Sequence, residues 1–273
     1  MDFDPVAASG EQNYKGGQGL ILNEVSLNGD AEAVETPPGS GKFVRKGGYF
    51  RKRVLVGSPK GEKPVEENLG GSVRVVFLKV RRKLVERGEK GKIIRSTNEH
   101  NHKNNRVFLY EEGREPIAGV AAALRERFEK LRTVQIVYAL LLAAGEPELV
   151  RFIVRGSSLG SESKAETTTD FYKYLGSFSS NEHFYEFETI AQPVLEQGLK
   201  AYYAIDFKRG QALTPELQQI ALDKLREVHE KCEAQDEARA QKFAKGEDIV
   251  EDEQKETGIE YPKDDINPDD IPF

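Results

Sequence analysis

The chain has no tryptophan, one methionine and a single cysteine, Cys232. One thiol excludes a disulfide framework within the chain and a zinc site built on cysteines. With only four histidines beside it, no cofactor or resident metal is expected. No apolar run approaches the roughly 20 residues that a membrane-spanning helix needs. The start, Met1-Asp2-Phe3-Asp4-Pro5, lacks the basic and apolar stretches of a secretory signal. A cytoplasmic protein with no membrane association is expected.

What is present is a core's worth of apolar residues and a segregation of charge. A hydrophobic fraction of 38% over 273 residues suffices for one principal domain with appendages. The formal net charge is −6, yet residues 42 to 158 hold 26 Lys/Arg against 13 Asp/Glu, a net of +13. Residues 246 to 273 hold 11 acids against 2 lysines, a net of −9, and the first 41 residues hold 7 acids against Lys15. The centre calls for a polyanion. A tail so charged and so poor in apolar residues cannot offset its ordering entropy and is expected to be disordered.

Runs rich in β-branched residues predict strands at Leu20–Leu27, Tyr49–Val56, Val73–Val85 and Arg106–Glu111. Further strands are predicted at Val134–Leu142 and Leu149–Arg155, as a hairpin about Gly145-Glu146-Pro147, and at Phe184–Ile190 and Lys200–Phe207. Thr36–Gly41 and Asn98–Asn105 read as loops. Pro116 opens a predicted helix to Leu131, with Ala121, Leu124, Phe128 and Leu131 on one face. A short helix is predicted near Thr169–Leu175, and Thr214-Pro215-Glu216 starts a long one. The expected fold is a β-rich α+β domain. It is a curved or closed antiparallel sheet, resembling an oligonucleotide-binding barrel with insertions, over residues 1–212. A helix at 213–245 and a disordered acidic tail at 246–273 complete the plan.

Alternate residues of a strand share a face, so each strand can be tested for cations and rings that fall together. Tyr49, Arg51 and Arg53 form one such row, with Arg45 and Lys46 just before it. Phe77, Lys79, Arg81 and Lys83 form a second; Arg106, Phe108 and Tyr110 form a third. Arg151 and Arg155 add cations to the strand from Leu149. Cations neutralise phosphates and flat rings stack on unpaired bases, so these rows predict a surface for single-stranded nucleic acid without sequence preference. RNA fits the pattern as well as DNA.

The last five residues are Asp269-Asp270-Ile271-Pro272-Phe273. A terminal Phe offers its ring and a carboxylate together, preceding aspartates steer it toward basic surfaces, and Pro limits the entropy lost on docking. This end is similar to the C-terminal tip of bacterial single-stranded DNA-binding proteins, where acidic residues precede Ile-Pro-Phe. The resemblance covers only the tip and the general plan of basic domain, linker and acidic end. It implies that Phe273 anchors replication and repair proteins, with Pro272 and Ile271 as apolar flank and Asp270 and Asp269 as charge contacts. Asp264-Asp265-Ile266-Asn267-Pro268 is a degenerate echo. The body lacks the family's compact N-terminal domain, which suits a divergent, phage or mobile-element binder; homo-oligomerisation is left open.

Other signals point elsewhere. Gly39-Ser40-Gly41-Lys42 is similar to a phosphate-binding loop, but Thr36 stands where its first Gly belongs and Phe43 where its Ser or Thr belongs. His100 and His102, with Glu99, could bind a metal in a nuclease, against a plain polar turn. No catalytic constellation emerges, so the expected protein is a binder and not an enzyme. A recombination mediator or strand-annealing protein is the alternative.

Overall fold

The computed structural model describes residues 22–55, 65–88, 91–143, 145–160, 168–197 and 200–244. The Gly-rich entry at Gly16–Gly19, the loop prolines Pro59 and Pro64, the acidic tail and its tip lie outside the described residues. In chain order the strands are β1 (Glu24–Asn28), β2 (Ala33–Glu35), β3 (Phe43–Arg45), β4 (Tyr49–Val54), β5 (Val65–Gly70), β6 (Val73–Arg87), β7 (Ile93–Thr97), β8 (Arg106–Glu111) and β9 (Ile117–Val120). Helix α1 (Ala121–Arg127), strands β10 (Arg132–Leu141) and β11 (Glu148–Arg155) and helix α2 (Phe171–Gly176) follow. Strands β12 (Phe187–Gln197) and β13 (Ala201–Ala212) and helix α3 (Pro215–Ala244) complete them. The described residues form two units, 22–80 with 135–227 and 81–134 with 228–244; β6, β10 and α3 contribute to both. No helix among the described residues is long and apolar enough to cross a membrane.

In the larger unit the strands hydrogen-bond in the order β5-β4-β1-β11-β10-β6, and the β12–β13 hairpin joins at β6, with Thr189 opposite Val75. The expected antiparallel, barrel-like sheet is corrected here. β1 runs parallel to β11, with Glu24 opposite Arg151 and Ser26 opposite Ile153. The sheet is therefore mixed, and no closed barrel forms among the described residues. The two strands are not joined by a hairpin turn, so nothing local forces them antiparallel. Strand β5 is not foreseen, because Val65-Glu66-Glu67-Asn68-Leu69-Gly70 has no apolar period. It is held to β4 by its ladder and by Glu66 and Glu67 opposite Arg53 and Lys52.

One face of this sheet packs on an aromatic core. Phe77 is fully buried, with the rings of Phe152, Phe171, Tyr174 and Phe207 at 5.8, 6.1, 6.0 and 6.0 Å. The Tyr174 hydroxyl is paired with Thr189 Oγ1 at 2.6 Å, so the one polar atom brought in by these rings is satisfied. Asp170 caps α2 by accepting from the Lys173 N–H at 2.9 Å. On the opposite face Ala221 and Leu225 of α3 pack against Val76, Leu78 and Leu140.

In the smaller unit β7, β8 and β9 form a meander. The helix predicted from Pro116 is corrected: Ile117–Val120 pair with Leu109–Arg106, and the helix proper is only Ala121–Arg127. Ile, Val and Gly are poor helix formers, so ladder bonds win over that stretch. Ala121, Leu124 and Leu131 still share a core cluster with Leu84, Val107 and Leu109. Cys232, Asp236, Arg239 and Phe243 of α3 recur at helical spacing.

Phe77→Ala is expected to cost about 3 to 5 kcal/mol of stability, as for other large-to-small changes in packed cores. Urea unfolding monitored by circular dichroism measures it, and a loss below about 1 kcal/mol would mean that the ring is not part of the core.

Candidate nucleic-acid interface

Pairing of β4, β1 and β11 gathers residues that lie far apart in sequence. Glu24 stands between Arg53 and Arg151, and Ser26 between Arg51 and Ile153, while Tyr49 lies opposite Asn28. Their neighbours Val25, Leu27, Phe50, Phe152 and Val154 are all buried in the aromatic core. By alternation the first set faces the other way. Tyr49, Arg51, Arg53, Arg151 and Arg155 thus share one face of the larger unit, with Arg53 and Arg155 exposed.

Some of these arginines already have carboxylate partners. Arg51 meets Glu66 at 3.2 Å and Arg151 meets Glu24 at 3.0 Å. The exposed Arg51–Glu66 pair is worth roughly 0 to 1 kcal/mol, so a phosphate can replace the carboxylate at small cost. Arg151 is 7% exposed and positions the row rather than projecting from it. Before β4, Lys46 pairs with Glu32 and the Arg45 guanidinium donates to the Ala31 carbonyl at 2.7 Å.

The row predicted on β6 does not form. Phe77 is in the core, and Val80 packs against the same cluster, which breaks the two-residue alternation after Phe77. Lys79 and Lys83 are half-buried. Arg81 is 1% exposed and donates to Asp236 Oδ1 at 2.6 Å and to the Glu99 carbonyl at 2.9 Å. Burial works against its charge, but the hydrogen bond and charge of Asp236 prevail and raise its pKa. Arg81 is therefore a structural ion within the smaller unit.

The row on β8 does form, and it is covered. Arg106, Phe108 and Tyr110 alternate as predicted, but Phe108 is 6% exposed beneath Phe243, ring on ring at 4.4 Å and nearly parallel. The Arg106 guanidinium lies 5.0 Å from the centre of the Phe243 ring. The last turns of α3 thus occupy the face that a base would use. Asp269 to Phe273, expected from the sequence to dock other proteins, lie outside the described residues.

Strand alternation does not single out the most exposed large apolar side chain among the described residues, Phe43 of β3. Its sequence signal is an aromatic among Lys42, Arg45 and Lys46, next to the loop that is similar to a phosphate-binding one. In that loop the Glu35 carboxylate accepts the Gly41 N–H at 2.5 Å, and the Gly39 and Gly41 amides hold its pKa down. The amides that a phosphate loop would offer are taken by Glu35. Also unforeseen is Arg209, whose guanidinium lies 4.3 Å from the ring centres of both Phe178 and Phe187. It pairs with Glu182, whose pKa is pushed down to about 2 chiefly by that hydrogen bond.

The histidines stand in different settings. His100 is 1% exposed with Nδ1 at 3.2 Å from the Asn98 carbonyl, whereas His102 lies in an exposed turn and its Nδ1 accepts from the Asn104 N–H. Among the described residues no group of three His, Cys, Asp or Glu is placed to hold a metal. Burial pushes the His100 pKa down to about 4; the Asn98 hydrogen bond opposes this, and the charges of Arg82, Arg239 and Arg81 add to it. The unfolded chain takes up that proton near pH 6.5, so stability is complete above this pH and is lost as pH falls toward about 4. His100→Asn is expected to flatten the pH dependence of the urea midpoint across that window, and parallel curves for variant and parent would count against it.

No family model, no curated protein and no solved structure matches the chain.

Proposed function

We propose that the chain binds single-stranded DNA without reading its sequence, protects it, and recruits replication and repair proteins through Asp269–Phe273. The observation that carries this reading is the gathering of Tyr49, Arg51, Arg53, Arg151 and Arg155 on one sheet face by the β4–β1–β11 pairing. In the strand ladders Glu24 and Glu66 lie opposite these arginines, and Arg53 and Arg155 are the exposed cations of the row. Guanidinium forks match phosphate oxygens, and Tyr49 adds a ring. Contacts of this kind follow the backbone and do not distinguish bases. The reading rests on this surface and on the tip, and does not need an oligonucleotide-binding barrel. It describes a binder in the cytoplasm, with no catalytic step and no cofactor.

The tail carries a net charge opposite to that of the basic centre. Held on the same chain, it competes with DNA at high effective concentration. Capture of a partner by the tip would then draw the tail away and favour DNA at the same time.

Two outcomes test the reading. Replacing Arg53 and Arg155 with alanine is expected to weaken binding to oligo(dT), and to lower the slope of log affinity against log salt by about 0.7 for each phosphate that is no longer neutralised. An unchanged slope would place the DNA elsewhere. Deleting residues 264–273 is expected to leave DNA affinity equal or higher while abolishing capture of tip-binding replication proteins; loss of DNA binding on that deletion would speak against a recruiting tip.

A further inference from the structure

The β2–β3 ribbon forms a two-stranded sheet of its own, with Ala33 opposite Arg45, Val34 opposite Val44 and Glu35 opposite Phe43. An isolated two-stranded ribbon is at best marginally stable in water. This one is braced at both ends. At its root, Lys46 N–H donates to the Glu32 carbonyl at 3.0 Å and Gly48 N–H to the Asn28 carbonyl at 2.8 Å. Gly47 sits so close to the chain that a Cβ there would run into the Asn28 and Asp30 carbonyl oxygens. At the tip, Thr36 N–H donates to the Lys42 carbonyl at 2.8 Å and the Glu35 carboxylate closes on the loop amides.

Between these braces both faces are open. Phe43 is 68% exposed and Val44 56% exposed. Lys42, Arg45 and Lys46 flank the ring along β3, while the nearby acids are engaged, Glu32 by Lys46 and Glu35 by Gly39 and Gly41. Strand β3 leads through Gly47-Gly48 straight into the Tyr49, Arg51 and Arg53 row. An exposed ring set among cations on a braced ribbon suits an anionic polymer with flat faces. Charge complementarity favours a phosphate polymer over a protein as the occupant.

We propose that the β2–β3 ribbon is a stacking platform for single-stranded nucleic acid, with Phe43 against an unpaired base and Lys42 and Arg45 beside the flanking phosphates. The platform rests on the single-strand-binding function proposed above and supplies the exposed ring that Phe77 and Phe108, both buried, do not.

The absence of tryptophan makes the test clean, because Phe43→Trp introduces a single indole emitter. Oligo(dT) is expected to quench that emission strongly. Phe43→Ala is expected to weaken oligo(dT) binding roughly 5- to 150-fold, the range for loss of one base–aromatic stack, with the thermal midpoint unchanged because the ring is exposed. Phe43→Tyr should retain affinity, while Phe43→Leu, apolar but not flat, should lose it. If the parent protein binds oligo(dT) while Phe43→Ala binds equally well and the Phe43→Trp emission does not change, the platform is wrong and the broader reading stands. If Phe43→Ala instead breaks a dimer without altering DNA affinity, the ribbon is a contact between copies and the proposal fails. If the parent ignores oligo(dT), the broader reading falls and the platform with it.

Discussion

Burial of Phe50, Phe77 and Phe152 in one core sets the facing of the strands in the larger unit. The Phe50 and Phe152 rings lie 5.9 Å apart, and the Phe152 and Phe77 rings 5.8 Å. Rings of this size each bury on the order of 150 to 250 Å², and no arrangement that turns them to water competes. Once they face inward, alternation turns Arg51, Arg53, Arg151 and Arg155 the other way. The cationic face is thus a by-product of core packing, and a one-residue slip of β4 or β11 would exchange arginines for phenylalanines.

That constraint also explains what could be read from the sequence. The bounds of β8, Arg106–Glu111, are those expected, and β10 and β11 adjoin as a predicted pair should. Dense Val, Ile and Phe mark such strands whatever their partners. Strand β5 escapes such a reading because its support is a ladder and ion pairs with Arg51 and Lys52, both properties of the neighbouring strand. The turn to strand at Ile117–Val120 depends on β8 lying alongside, and the poor helix formers Ile117, Gly119 and Val120 permit it without specifying the partner. The row on β4 survives because its alternation is unbroken. The row on β6 fails because packing of Val80 beside the Phe77 cluster shifts the phase. The row on β8 keeps its phase, yet Phe243, far along the chain, covers it. Sequence period reports which residues share a face; it does not report what lies on that face.

The electrostatics point the same way. Cations of the chain divide between those locked in place and those that can change partner. Arg81 is locked, since its burial makes removal of Asp236 costly. Arg51, half-buried and held by Glu66, can move to a phosphate with little net loss. A pair that exchanges in this way suits contact with a polyanion that is firm yet reversible.

On the function proposed, the arginine face built by β4, β1 and β11 takes an unpaired strand in preference to a duplex. Titrating labelled oligo(dT) and a duplex of equal length into the protein at two salt concentrations tests it most directly. Tighter binding of the single strand and a steep fall in affinity with salt are expected; indifference to both oligonucleotides at low ionic strength, or preference for the duplex, would overturn the proposed function.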